Sequence, residues 1–116
     1  MRASLLGLIA ALVVLAAACT PPAAGPLCAV GGLITECGAA TGIVIAVDGP
    51  GAAQVERFSL RTDQGEQIEF SVGRLDLREG GLPAPHLREH LVSGVPITVE
   101  YKIDDGRHVA LRYVDA

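Results

Sequence analysis

The chain has no tryptophan and only four aromatic residues in 116, Phe58, Phe70, Tyr101 and Tyr113. Proteins that grip single-stranded nucleic acid need exposed aromatic platforms in a basic groove, and this sequence is short of both. Its 9 Lys+Arg face 13 Asp+Glu for a net charge of −4, and without Arg2, the one charge in residues 1–18, the remainder stands at −5. The arginines Arg57, Arg61, Arg74, Arg78, Arg88, Arg107 and Arg112 are interleaved with carboxylates, as on a solvated strand face. Nucleic acid is therefore not an expected partner. Long apolar runs are also scarce. The longest, Leu5 to Ala18, has about 14 residues, where a membrane-spanning helix needs about 20. The length suits one small domain and leaves too little chain for a two-lobed enzyme with a cleft. No Ser-His-Asp order, nucleophile elbow or phosphate loop is present, since Gly49-Pro50-Gly51 and Gly80-Gly81 have the composition of turns.

What the N-terminus does have is the pattern of an export signal over residues 1–18. Arg2 is a short positive start, Leu5 to Leu15 an apolar stretch, and Ala16-Ala17-Ala18 a small-residue cleavage site. Two processing routes meet at Cys19. One is ordinary secretion after Ala18. In the other, Leu15-Ala16-Ala17-Ala18-Cys19 resembles a bacterial lipobox, which implies a chain lipidated on Cys19 and anchored to the cell membrane or outer membrane.

Cysteine is rare, with three residues in all, and an odd number in an exported chain calls for an explanation. Lipid on Cys19 supplies it and leaves Cys28 and Cys37 to pair around Gly31-Gly32. Closing that loop of about ten residues is worth roughly 2.7 kcal/mol on the chain-entropy account. The spacing is not the Cys-x-x-Cys of a redox or zinc motif. Residues 19–40 are otherwise rich in Pro, Ala and Gly and are expected to form a spacer, with Pro21, Pro22 and Pro26 opposing helix.

Residues 41–116 carry the expected domain. Thr41 to Val47 is apolar on both faces, as a covered strand would be. Strands at about 54–62 and 66–72 flank Asp63-Gln64-Gly65, and a three-residue loop there pairs Phe58 with Phe70 and Leu60 with Ile68. The same device at Asp104-Asp105-Gly106 pairs Ile97 with Tyr113, Val99 with Leu111 and Tyr101 with Val109, leaving Ala110 and His108 on the outer face. A two-residue turn would set Val99 against Arg112, a poorer match. Leu82 to Ser93 has helical periodicity, with Pro83 and Pro85 in its first turn, a stripe of Ala84, Leu87 and Leu91, and a stop at Gly94 and Pro96. A mainly β chain ordered strand, strand, strand, helix, strand, strand resembles the OB-fold. That resemblance implies a small five-stranded barrel with one helix between strands 3 and 4.

The sharpest chemical string is His86-Leu87-Arg88-Glu89-His90, which fits the His-x-x-Glu-His of the inverzincin metallopeptidases. Histidines four apart share a helix face and can hold a metal, with Glu89 as base. The family also needs a distant acidic ligand and a larger cleft, and Glu100 and His108 have no spacing that commits them. The expected setting is thus an exposed helix face, with His90 on its outer flank. Taken together, the residues point to a non-enzymatic lipoprotein of the cell envelope without a cofactor, binding an envelope protein or polar ligand. A small metal-binding protein using His86 and His90 is the alternative.

Overall fold

The structure is a computed structural model that describes residues 27–30 and 32–116. Residues 1–18, expected as a signal sequence, and Cys19 and Gly31 lie outside the described residues. Six strands and one short helix follow in order: β1 (Leu27–Val30), β2 (Leu33–Asp48), β3 (Arg57–Thr62), β4 (Gln67–Val72), a 3₁₀ turn at Ala84–His86, α1 (Leu87–Ser93), β5 (Ile97–Asp104) and β6 (Arg107–Asp115). The chain is mainly β, and the helix lies between β4 and β5 rather than between strands 3 and 4 as expected. The strand structure also starts earlier than Thr41. Leu27–Val30 and Leu33–Ala40, expected as spacer, pair with each other or with β5.

β2 is the element that closes the sheet on itself. Its first half pairs antiparallel with β5, from Cys37 with Lys102 to Gly42 with Ile97. Its second half pairs antiparallel with β3, from Gly42 with Thr62 to Asp48 with Arg57. β3 and β4 form a hairpin, β4 runs parallel to β6 through Phe70–His108 to Val72–Ala110, and β6 returns antiparallel to β5. The five strands β2, β3, β4, β6 and β5 thus form a ring, with β1 as a flap on the edge of β2. Gly42 sits at the hand-over. A Cβ there would come 2.2 Å from the Arg61 carbonyl oxygen, so only glycine lets the neighbouring backbone approach this closely.

The first hairpin has the expected register, Phe58 opposite Phe70 and Leu60 opposite Ile68, and Gly65 takes a positive φ of 81° in its loop. The second does not. Asp104 pairs with Arg107, so the turn has two residues, Asp105 (φ 49°) and Gly106 (φ 73°). Two successive positive φ values match the right-handed twist of a hairpin. The strand then corrects its own parity: the register shifts between Glu100 and Tyr101, making Leu111 an extra residue on β6. Such a bulge moves the following side chains to the other face. Ala110 and Tyr113 are therefore both buried, Val99 faces Tyr113, and Leu111 is only partly buried.

Inside the ring lie Val44, Phe58, Leu60, Phe70, Ile97, Val99, Ala110 and Tyr113, all 3% exposed or less. Phe58 stacks on Phe70 with centroids 5.1 Å apart. Leu87, fully buried, brings α1 onto this core. The helical stripe is not quite the expected one, because Leu91 is 39% exposed and His90, expected on the outer flank, is 4% exposed. α1 begins only at Leu87, and its inward positions are Leu87 and His90, three apart. Gly94 ends it with φ 69°, donating its N–H to the His90 carbonyl at 2.9 Å.

Candidate functional site

Cys28 and Cys37 form a disulfide, with Cα atoms 6.0 Å apart. They are diagonal neighbours across the β1–β2 pair, where Cys28 faces Thr35, so the bridge staples β1 to the ring instead of tying down a spacer. Cys19 lies outside the described residues. Glu100 and His108 are not drawn to the helix. Glu100 faces Arg112 at 3.5 Å, and His108 lies among Phe70 and Tyr101, with ring centroids 5.8 and 4.9 Å away.

His86 and His90 do come together. Their rings meet edge to face with centroids 4.9 Å apart, and Asp115 from the end of β6 joins them. One ligand atom from each of the three lies within 4.8 Å of the other two. Each position has a local cause. Pro83 and Pro85 start the 3₁₀ turn that presents His86, which stays partly exposed. α1 turns His90 inward beside Leu87, edge-on to Tyr113 at 6.3 Å. The two-residue turn and the bulge of β6 bring Asp115 opposite Ile97, just beyond the Val95-Pro96 segment that follows the helix.

Each imidazole has a close neighbour at Nδ1. His90 Nδ1 donates to the Val95 carbonyl at 2.9 Å, and His86 Nδ1 lies 2.8 Å from Glu89 Oε2. A carbonyl can only accept, so His90 Nδ1 carries a proton, and in the neutral form of the ring the lone pair is on Nε2. That Nε2 is buried and makes no hydrogen bond, although Asp115 Oδ1 is 2.9 Å away. The contact has the distance of an ion pair without the direction of an N–H···O bond. A shallow cavity of about 260 Å³ opens over the group, lined by His86, Glu89, His90, Ser93, Val95 and Asp115.

Asp115 was not legible as a partner of the histidines. It is 25 residues from His90 in sequence, and the register expected for the second hairpin did not bring it to the helix end. A second polar region lies at the start of β6, at the other end of the strand from Asp115. Where β4 and β6 part beyond Phe70 and His108, a cavity of about 330 Å³ is lined by Glu66, Gln67, Glu69, Ser71, Arg107 and His108 among others. Among the described residues, no helix is long and apolar enough to cross a membrane. No family model, no curated protein and no solved structure matches the chain.

Proposed function

We propose that this chain is an exported lipoprotein, anchored through lipid on Cys19 to the cell membrane or outer membrane, whose OB-like barrel binds an envelope protein or polar ligand without catalysing a reaction. The observation that carries the reading is the closed strand order. β2 shared between β3 and β5, with β4 parallel to β6, resembles the strand ring of an OB-fold once β1 is set aside as an added flap, and this supports the reading. Counted within that ring, the helix follows the third strand, and Leu87 packs onto the core from one end.

In OB-folds the second and third strands and the adjoining loops form the usual binding face. Those strands are β3 and β4, whose outer faces carry Arg57, Ser59, Arg61, Gln67, Glu69 and Ser71. This mixed polar surface runs into the cavity between β4 and β6 and suits a polar ligand better than a lipid or an apolar helix. The short distance in sequence between Cys19 and β1 would hold the ring close to the membrane surface. The tether is tested by the intact mass of the protein isolated from its native membrane. A chain starting at Cys19 with added acyl mass is expected. An unmodified Cys19, or a different first residue, overturns it.

A further inference from the structure

We infer that the helix end of the ring holds one divalent transition-metal ion of the zinc class, with His86, His90 and Asp115 as its protein ligands. This goes beyond the tethered-module reading and does not need it, since it rests on groups inside the folded domain alone.

The decisive feature is the contact between His90 Nε2 and Asp115 Oδ1 at 2.9 Å. Val95 accepts from Nδ1, so in its neutral form the His90 ring presents the Nε2 lone pair to a carboxylate oxygen, which also has only lone pairs to offer. Two such atoms at this distance repel unless a cation lies between them. A proton would settle the pair by forming a hydrogen bond, but the approach is not directed as one, and Nε2 is left buried without a hydrogen-bond partner. A metal ion needs no such alignment, because each donor points at the ion and not at the other donor.

His86 repeats the preparation. Glu89 Oε2 lies 2.8 Å from its Nδ1, which leaves Nε2 as the ring's other nitrogen donor. Metal-binding histidines commonly have the second nitrogen tied to a carboxylate or backbone carbonyl, which fixes the tautomer and the ring plane. Here the Val95 carbonyl accepts from His90 Nδ1, and the Glu89 carboxylate lies beside His86 Nδ1. In a tetrahedral site with bonds of about 2.0–2.1 Å, neighbouring ligand atoms are roughly 3.3 Å apart. The present spread of up to 4.8 Å contracts by side-chain rotation. The buried His90 is the fixed point, while the side chains of His86 and Asp115, 29% and 61% exposed, are free to adjust.

Two imidazoles and one carboxylate select the class of ion. Calcium and magnesium prefer oxygen donors throughout, whereas zinc and its first-row neighbours take imidazole readily. The remaining coordination position would open toward the cavity that Ser93 and Val95 help to line.

The test titrates the full-length purified protein, stripped with chelator, with Zn²⁺ by calorimetry and follows thermal melting with and without the ion. One Zn²⁺ per chain is expected, with a rise in melting temperature. Asp115→Asn and His86→Gln alter exposed ends of the site and should leave the metal-free melt nearly unchanged, yet each should weaken zinc binding at least about tenfold. Failure of the folded wild type to bind would overturn the assignment. So would zinc held equally by wild type and both variants, which would place it elsewhere. A simple imidazolium–carboxylate pair gives a third pattern that also overturns it: Asp115→Asn lowers the melt, and zinc has no effect on either protein.

Discussion

Tyr113 and His90 each bring a polar group into the interior beside the helix, and each has one main-chain acceptor to justify it. Tyr113 Oη donates to the Pro83 carbonyl at 2.5 Å, and His90 Nδ1 to the Val95 carbonyl. Burial raises the Tyr113 pKa well above its ordinary value of 10.0, with the Asp115 and Glu89 carboxylates adding to the effect. The consequence for stability has a definite sign. An unfolded tyrosine sheds its proton near pH 10 while the folded one keeps it, so this contribution is complete below about pH 10 and is lost as the pH rises further. Tyr113→Phe should be less stable than wild type at neutral pH by about 0.5–1.5 kcal/mol. Denaturant melts at increasing alkalinity should then show that gap narrowing above about pH 10. A gap that stays constant would mean that the hydroxyl ionises normally. In the same measurement at neutral pH, Phe70→Ala should cost about 3–5 kcal/mol, as loss of a buried ring does. His90→Ala should cost about 1–3 kcal/mol, because it strands the Val95 acceptor. A surface-like effect of under about 0.5 kcal/mol for His90 would contradict its burial.

At the scale of elements, turn chemistry and pairing were readable where they agreed and misread where they competed. Gly65 and the Phe58/Phe70 pair point to one register, and β3–β4 has it. In β5–β6 the alternation of Val109, Leu111 and Tyr113 argued for a three-residue loop, but Asp105-Gly106 formed the tighter turn and the mismatch was absorbed at Leu111. A bulge costs one unpaired residue, and alternation alone carries no sign of it. β1 was missed for a different reason. Its four residues sit between a Pro-rich stretch and Gly31-Gly32, too short a run to announce a strand. The cysteine pair, by contrast, was visible from its spacing. The helix was found, but its 3₁₀ first turn set the inward face and carried His90 into the interior. The most sensitive element is β2, whose change of partner depends on Gly42. We expect Gly42→Ala to force β3 away and to cost about 1–3 kcal/mol, as overpacking does. Gly73→Ala, where a Cβ would meet nothing within 4 Å, should stay within about 0.5 kcal/mol. Equal melts for the two would show that the hand-over is looser than described.

For the whole molecule, the mainly β composition and the helix before the last hairpin could be reached from the sequence, because each rests on local pattern. The ring closure could not be read directly. It joins Cys37–Gly42 to Ile97–Lys102 and Phe70–Val72 to His108–Ala110, pairings that no turn connects. The candidate metal group shares this dependence: two of its ligands were visible as His86 and His90, and the third arrives only through the β6 register. The OB-like reading therefore rests on the two seams that close the ring. The measurement that reaches them most directly is solution NMR of the folded protein. Cross-strand proton contacts are expected for Ala40 with Val99 and for Phe70–Val72 with His108–Ala110, with slowly exchanging amides in both seams. Contacts confined to the β3–β4 and β5–β6 hairpins, with neither seam formed, would contradict the closed ring.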